Sequence, residues 1–119
     1  MSLRAEVEQA VSLYFEGVNT KNAGIIPLTD DVVLTGPMMP DPVSGEAAVR
    51  QHIGDVAHFV TRMERKLTVI ENDTAAVILE FEGLNGVVIQ GAEFFKVREG
   101  RICFDQTFFD TRPLLKGAK

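Results

Sequence analysis

The spacing of apolar residues changes near residue 60, from the period of a helix to the period of a strand. Over the first 20 residues, apolar side chains recur at spacings of three and four, which predicts an amphipathic helix that buries Leu3, Val7, Ala10, Val11, Tyr14 and Val18. The same period returns from Ala48 to Phe59, after a helix start at Ser44-Gly45-Glu46. Beyond that point, apolar and polar residues alternate up to about Phe109. Helices first and antiparallel strands after them predict an α+β fold rather than a wound parallel sheet.

The segment between the two helices carries signals for short elements. A helical turn is predicted from Ala23 to Ile26, ended by Pro27, and a strand is predicted from Val32 to Thr35. The Gly36-Pro37 break follows, and two further prolines between Met38 and Val43 exclude regular structure there. We therefore expect a helix, a short helix, a strand, a loop and a second long helix before the strands begin.

Three turn signals divide the second half of the chain into a four-stranded meander. These signals are Asn72-Asp73, Leu84-Asn85-Gly86 and Arg98-Glu99-Gly100. The last strand is expected from Arg101 to about Phe109. Each strand of this region should therefore pair with the next one along the chain.

Glu93 lies on the more apolar face of the third strand of this meander, and its direction depends on the hairpin register. A two-residue Asn85-Gly86 turn would pair Glu93 with Ile78 and point the carboxyl outward. A three-residue loop, Leu84-Asn85-Gly86, pairs Glu93 with Val77 and makes the two apolar faces coincide. We favour the second register because the first would expose three large apolar side chains, at about 1.5 to 3 kcal/mol each: Ile89, Phe95 and Val97. An inward carboxyl among apolar side chains indicates a ligand pocket.

Composition restricts the classes of partner. The 119 residues are 45% hydrophobic, which predicts one globular domain over residues 1–119. A net charge of −5 and the lack of a Lys/Arg cluster argue against nucleic acid or a membrane as partner. With no long apolar stretch and no signal-peptide pattern, a cytoplasmic protein is expected. The single cysteine, Cys103, is expected to be a small buried thiol rather than a nucleophile.

Several short motifs, together with the order of elements, resemble the nuclear transport factor 2-like superfamily, and in particular its SnoaL-like and ketosteroid-isomerase-like branches. The motifs are Leu13 to Asn19, Thr29 to Val33, Ser44 to Arg50 and Glu99 to Ile102. The resemblance covers nearly the whole chain. It implies a cone-shaped half-barrel, in which a curved antiparallel sheet wraps around the long N-terminal helix with two further helices. It also implies an apolar cavity and a homodimer packed through the sheets.

The resemblance assigns candidate catalytic residues by position. In ketosteroid isomerases, a tyrosine of the first helix and a carboxylic acid on a strand donate hydrogen bonds to a developing enolate, and Tyr14 and Glu93 fall at these positions. The usual general base falls on Gly36, which has no side chain to accept a proton. Steroid isomerisation by that mechanism is therefore not expected. SnoaL-like cyclases use an acidic residue of the later strands, to which Asp105 and Asp110 are loosely comparable.

We expect the cavity to be lined by apolar side chains from several elements: Leu34, Met38, Val56, Phe59, Phe81 and Phe104. His52, Asp55 and His58 lie close together in the second long helix, which raises the question of a metal site. The two histidines are six residues apart and diverge around the helix, so a surface pair or a local hydrogen bond between Asp55 and either histidine is expected instead. The sequence predicts no metal and no cofactor.

Two functions of different classes remain open. The first is a small proton-transfer enzyme of the cyclase, isomerase or lyase kind, acting on an apolar carbonyl compound with Glu93 as acid or base and Tyr14 as hydrogen-bond donor. The second is a noncatalytic domain that binds a small apolar ligand or associates as a dimer, with Glu93 paired to an Arg or Lys of a neighbouring strand or of the dimer mate. Apolar residues on the outer face of the strands, Ile78, Val88 and Phe94, fit a homodimer through the sheet.

Overall fold

The computed structural model describes residues 2–117, and the side chains of residues 2–114. The helices are α1 (Leu3–Asn19), α2 (Glu46–His58), α3 (Arg112–Gly117) and a 3-10 turn (Ala23–Ile25). The strands are β1 (Leu28–Thr35), β2 (Val43–Ser44), β3 (Val60–Glu71), β4 (Thr74–Gly83), β5 (Val88–Arg98) and β6 (Arg101–Phe109). The predicted α+β class is confirmed.

Most element boundaries follow the predicted ones. The Ser2 hydroxyl caps α1 by accepting a hydrogen bond from the Ala5 N–H. The first strand begins at Leu28, four residues before the predicted start, and the Pro-rich loop ends in the two-residue strand β2. The short helix α3 was not predicted from the sequence.

The six strands form one curved, unclosed sheet in the order β2-β1-β6-β5-β4-β3. Neighbouring strands are antiparallel, except that β1 and β6 are parallel. The meander from β3 to β6 is therefore confirmed, and β6 fills the space between β5 and β1. No helix in the described part of the chain is long and apolar enough to span a membrane.

α1 packs its apolar side on the inner face of this sheet. Its buried residues include Val7, Val11 and Tyr14. The Tyr14 ring meets the Phe95 ring of β5 edge to face, with centroids 5.0 Å apart. The core therefore lies between the helix and the middle strands of the sheet.

The hairpin between β4 and β5 has the three-residue loop that the apolar pattern favours. The Gly83 N–H donates to the Val87 carbonyl at 2.9 Å, and the Gly86 N–H donates to the Gly83 carbonyl at 3.0 Å. Gly86 has φ of 79°, in the left-handed region that glycine adopts without strain. Val77 consequently pairs with Glu93, which is only 1% exposed.

β6 contains a bulge that the sequence analysis did not predict. Lys96 pairs with Phe104 and Val97 pairs with Ile102, so Cys103 is an extra residue without a partner on β5. The bulge reverses the alternation along β6, which turns Asp105 inward and Phe104 to the opposite face. Cys103 is half-buried rather than fully buried, which corrects the prediction for its thiol.

Candidate functional site

A cavity of about 320 Å³ lies between the helices and the inner face of the sheet. α1 contributes Tyr14 and Val18, α2 contributes His52, Ile53 and Val56, and the loop from Gly36 to Met39 borders the same space. The sheet contributes Leu79, Phe81, Ile89, Glu93, Thr107 and Phe109. Most of these side chains are apolar, and the volume falls at the lower end of the range for small-molecule sites.

Seven of the eight predicted site residues border this cavity: Tyr14, Glu93, Leu34, Met38, Val56, Phe59 and Phe81. Met38 and Phe59 are 56% and 68% exposed, which places them where the cavity meets solvent. Phe104 does not line the cavity because the bulge at Cys103 turns it to the other face of β6.

Glu93 lies in the middle of β5, between Val77 of β4 and Thr107 of β6. Its carboxyl accepts hydrogen bonds from the hydroxyls of Tyr14 and Thr107. Neither Glu93 nor any other buried carboxyl takes part in the ion pairs of the described residues, which join exposed or half-buried side chains. The predicted alternative, in which a basic residue neutralises Glu93, does not occur within the described chain.

Asp105 is a second buried carboxyl beside Glu93, and it is also 1% exposed. It pairs with Phe95 in the β5–β6 ladder, one step diagonally from the pair of Glu93 and Thr107. Glu93 borders the cavity, whereas Asp105 does not and lies behind it. Glu93 Oε2 and both carboxyl oxygens of Asp105 find no hydrogen-bond donor when the two groups are ionised. The two carboxyls can bond to each other only if one carries a proton.

Burial shifts the titration of all three groups. Desolvation raises the pKa of Asp105 well above its usual value, and the negative charge of Glu93 raises it further. Desolvation also raises the pKa of Glu93, against the opposing effect of hydrogen bonds from Asp105, Tyr14 and Thr107. Desolvation and the two carboxyls raise the pKa of Tyr14, so its hydroxyl stays protonated and remains a donor.

The sequence profile of the SnoaL-like domain matches residues 11–104, which is most of the chain. This chain belongs to the SnoaL-like domain family. The family lies within the nuclear transport factor 2-like superfamily, so the predicted relationship is confirmed.

Solved structures with the same fold include proteins of different descriptions. A nuclear transport factor 2-like protein of unknown function from Cytophaga hutchinsonii has a TM-score of 0.77 at 20% identity, with 92% of this chain and 94% of that chain covered. A protein from Bacillus subtilis provisionally named an isomerase has a TM-score of 0.81 at 14% identity, with 98% and 94% covered. TerC, co-crystallised with polyporic acid, has a TM-score of 0.80 at 16% identity, with 93% and 96% covered. A comparison with curated proteins gave no match.

Gly36 of this SnoaL-like chain lies on the cavity wall, where the resemblance places the usual general base. A Cβ atom at Gly36 would meet Met39 Sδ at 3.7 Å and Thr107 Cβ at 3.8 Å, which are ordinary contacts. The site thus has room for a side chain there but lacks one. Proton transfer in this cavity would have to use another group.

One further cavity residue of this SnoaL-like chain, His52, was not predicted as a lining residue. His52 was expected to form a surface pair with Asp55, but Asp55 accepts a hydrogen bond from Gln51 and His52 borders the cavity. The i,i+4 spacing of His52 and Val56 was the available signal, because Val56 was already a predicted lining residue. Among the described residues, no group of three or more His, Cys, Asp or Glu side chains could hold a metal ion.

Proposed function

We propose that this SnoaL-like protein binds a small, neutral, largely apolar carbonyl compound and moves a proton on it, with Glu93 as the proton-transferring group. The observation that carries this proposal is a carboxyl only 1% exposed in the wall of a mostly apolar cavity. Burying a carboxyl is costly, and here no ion pair within the described chain offsets that cost. Such a group has the altered proton affinity that acid–base catalysis near neutral pH requires.

The chemistry follows from two adjacent polar groups on the cavity wall, Glu93 and the Tyr14 hydroxyl that bonds to it. In the ionised form, Glu93 takes a proton from the carbon next to the ligand carbonyl, and the C–H electron pair moves into the enolate. Tyr14, whose pKa is raised by burial, exchanges its hydrogen bond to Glu93 for one to the enolate oxygen as the Glu93 carboxylate takes up the proton. In a ligand with a C=C bond conjugated to the enolate, the electron pair moves through that bond, and return of the proton from Glu93 to its far carbon completes an isomerisation with no oxidant or reductant needed.

The charge of the cavity restricts the ligand. Glu93 is its acidic residue, and no lysine or arginine borders it within the described chain. A ligand with a carboxylate would be repelled and would lose its hydration without compensation. A neutral carbonyl compound or a phenol would instead fill the apolar walls and meet the polar groups.

The comparisons support this reading at the level of the fold. The Bacillus subtilis protein of the same fold is provisionally named an isomerase, and TerC was co-crystallised with polyporic acid. Both share under 25% identity with this chain, so the choice of ligand rests on the cavity itself.

The test combines ligand binding with proton exchange. Calorimetry with 2-naphthol and with 2-naphthoic acid compares a neutral and an anionic bicyclic probe of the same shape. Exchange of the α-protons of α-tetralone in D₂O, followed by NMR, measures proton transfer directly. We expect 2-naphthol to bind more tightly than 2-naphthoic acid, and we expect exchange that Glu93→Gln abolishes without unfolding the protein. Exchange that is unchanged in Glu93→Gln would overturn the role of Glu93.

A noncatalytic ligand-binding protein is the second candidate, and Gly36 is the observation that favours it. The wall position that would hold the usual base has no side chain. Saturable binding of 2-naphthol without any α-proton exchange would support this candidate over the enzyme.

We also propose that two copies associate through the outer face of the sheet. Leu67, Ile78, Ala92 and Phe108 form a row across four neighbouring strands, because each pairs with the next. Leu67, Ile78 and Phe108 are 58%, 47% and 51% exposed. An apolar row of this kind is typical of an interface rather than of a solvated face.

A further inference from the structure

We propose that Glu93 and Asp105 hold one proton between them, and that Asp105 is the positioning residue that keeps this proton and leaves Glu93 ionised toward the cavity. The role in turnover rests on the proposed function. The shared proton does not, and it can be measured without any ligand.

The register of β5 and β6 places the two side chains next to each other. Glu93 pairs with Thr107 and Phe95 pairs with Asp105, so the two carboxyls are diagonal neighbours on the inner face of adjacent strands. Both residues are 1% exposed, and three of their four carboxyl oxygens have no donor when both are ionised. One proton held between the carboxyls supplies the donor for a bond from Asp105 to Glu93 Oε2, which leaves one Asp105 oxygen without a donor.

The other protonation states fit this environment less well. Two ionised carboxyls would repel each other in a buried site with no positive partner among the described residues. Two protonated carboxyls would add a buried hydroxyl to a group that already accepts from Tyr14 and Thr107. A single shared proton removes the repulsion between two negative charges and adds no second buried hydroxyl, as in other close carboxyl pairs.

The surroundings decide which residue holds the proton. Glu93 accepts hydrogen bonds from two hydroxyls, which favours its ionised form, whereas Glu93 is the one partner of Asp105 among the described residues. Among the described residues, Tyr14 of α1 is the titratable group in contact with the pair, and His52 of α2 lines the same cavity as Glu93. Asp105 is therefore the donor and Glu93 the acceptor of the bond between them.

The test is a carboxyl titration of the full chain by NMR, with ¹³C at Glu Cδ and Asp Cγ and no ligand present. The Glu93→Gln and Asp105→Asn variants assign the two signals. We expect both signals to move together in two separate steps, with one proton retained between the steps at neutral pH. In each single variant, the remaining carboxyl should titrate in one step.

The two variants make distinct predictions. Asn at position 105 keeps an N–H donor toward Glu93, so Glu93 should remain ionised at neutral pH in Asp105→Asn. Asp105→Leu removes the donor, and the Glu93 pKa should rise by about one unit or more relative to Asp105→Asn. In Glu93→Gln, the Asp105 pKa should fall, because the negative neighbour is gone.

Two results would overturn the proposal. One is a pair of carboxyls that are both fully ionised at pH 7. The other is an Asp105 signal whose titration is the same in the wild type and in Glu93→Gln, a comparison that stands even if the Asp105 variants fail to fold. Because no ligand is used, the two proposals can fail separately. A protein without proton-transfer activity but with a coupled titration would contradict only the proposed function. An active protein whose two carboxyls titrate independently would contradict only the shared proton.

Discussion

Tyr14 connects the first helix to the buried carboxyl pair. Its ring packs edge to face against Phe15 and Phe95, with centroids 5.4 and 5.0 Å away, while its hydroxyl bonds to Glu93. The aromatic contacts hold the ring in place, and with it the hydroxyl. The orientation of this donor is therefore set by the core.

Removing the Tyr14 hydroxyl should affect stability and titration in measurable ways. In Tyr14→Phe, Glu93 loses a hydrogen bond that favours its ionised form, so its pKa should rise. The free energy of unfolding should fall by about 0.5 to 1.5 kcal/mol, measured by urea denaturation. Thr107→Val removes the other hydroxyl donor and should shift the Glu93 pKa in the same direction. A Glu93 titration that is unchanged in Tyr14→Phe would contradict this assignment.

The carboxyl pair should make the protein less stable as the pH rises from the acid side toward neutral. Above the ordinary pKa values of 3.8 for aspartate and 4.5 for glutamate, the unfolded chain has released protons that the folded protein still holds. Because the folded state then binds more protons, stability falls with pH, by at most about 1.4 kcal/mol per pH unit for one proton. The fall ends once the pH passes the raised pKa of the pair in the folded state.

Urea denaturation between about pH 5 and pH 8 measures this effect. Asp31 and Glu80 have lowered pKa values through Arg98 and Arg62, and their contributions have the opposite sign. Their contributions are complete above the ordinary carboxyl pKa, so they do not mask the fall. Asp105→Asn should flatten the profile, and a wild-type stability that rises over this range would contradict the shared proton.

Two glycines in the helices provide a matched test of packing. Gly17 of α1 faces the 3-10 turn, and a Cβ there would lie 2.6 Å from Ile26 Cγ1 and 2.9 Å from the Asn22 carbonyl oxygen. A Cβ at Gly54 of α2 would meet only Ala23 Cβ, at 3.9 Å. Gly17→Ala should therefore destabilise the protein by about 1 to 3 kcal/mol, and Gly54→Ala should stabilise it by about 0.5 to 1 kcal/mol. Thermal unfolding of both variants checks the signs, and a stabilising Gly17→Ala would show that α1 does not approach the turn so closely.

The helices and hairpin turns could be predicted because their signals are local. Ser2 marks the start of α1, and the loop before β5 follows from matching the apolar faces of two strands. The bulge at Cys103 could not be predicted in the same way, because Ile102, Cys103 and Phe104 are all apolar and either alternation fits. That ambiguity is why Phe104 was expected in the cavity and Asp105 was not placed beside Glu93. Tyr14 and Glu93 could be found because each lies on an unbroken apolar pattern.

The parallel pairing of β1 with β6 is a property of the complete sheet, and no local sequence pattern predicts it. The pairing joins Val33 to Phe104 and Leu34 to Asp105, far apart in sequence. Nothing in either strand alone selects this neighbour. The curved sheet could be predicted from the resemblance to a known fold. The position of Asp105 in the sheet could not, because it depends on the register of β6 against its neighbours.

The outer apolar row makes a testable prediction about assembly. Light scattering at micromolar concentration should give the mass of a dimer for the wild type. Phe108→Glu places a charge in the row and should yield monomers, while Ala47→Glu, on the exposed side of α2, should leave the dimer intact. A monomeric wild type would rule out the proposed interface.

β6 follows all the other strands in the sequence, yet it lies between β1 and β5 in the sheet. During synthesis, the ribosome releases β1 and the β3–β5 meander before their common neighbour exists, so two strand edges stay open until β6 arrives. Open strand edges can pair with the edges of other chains. Asp105 and Thr107 both belong to β6, so no shorter nascent chain can hold the buried carboxyl pair.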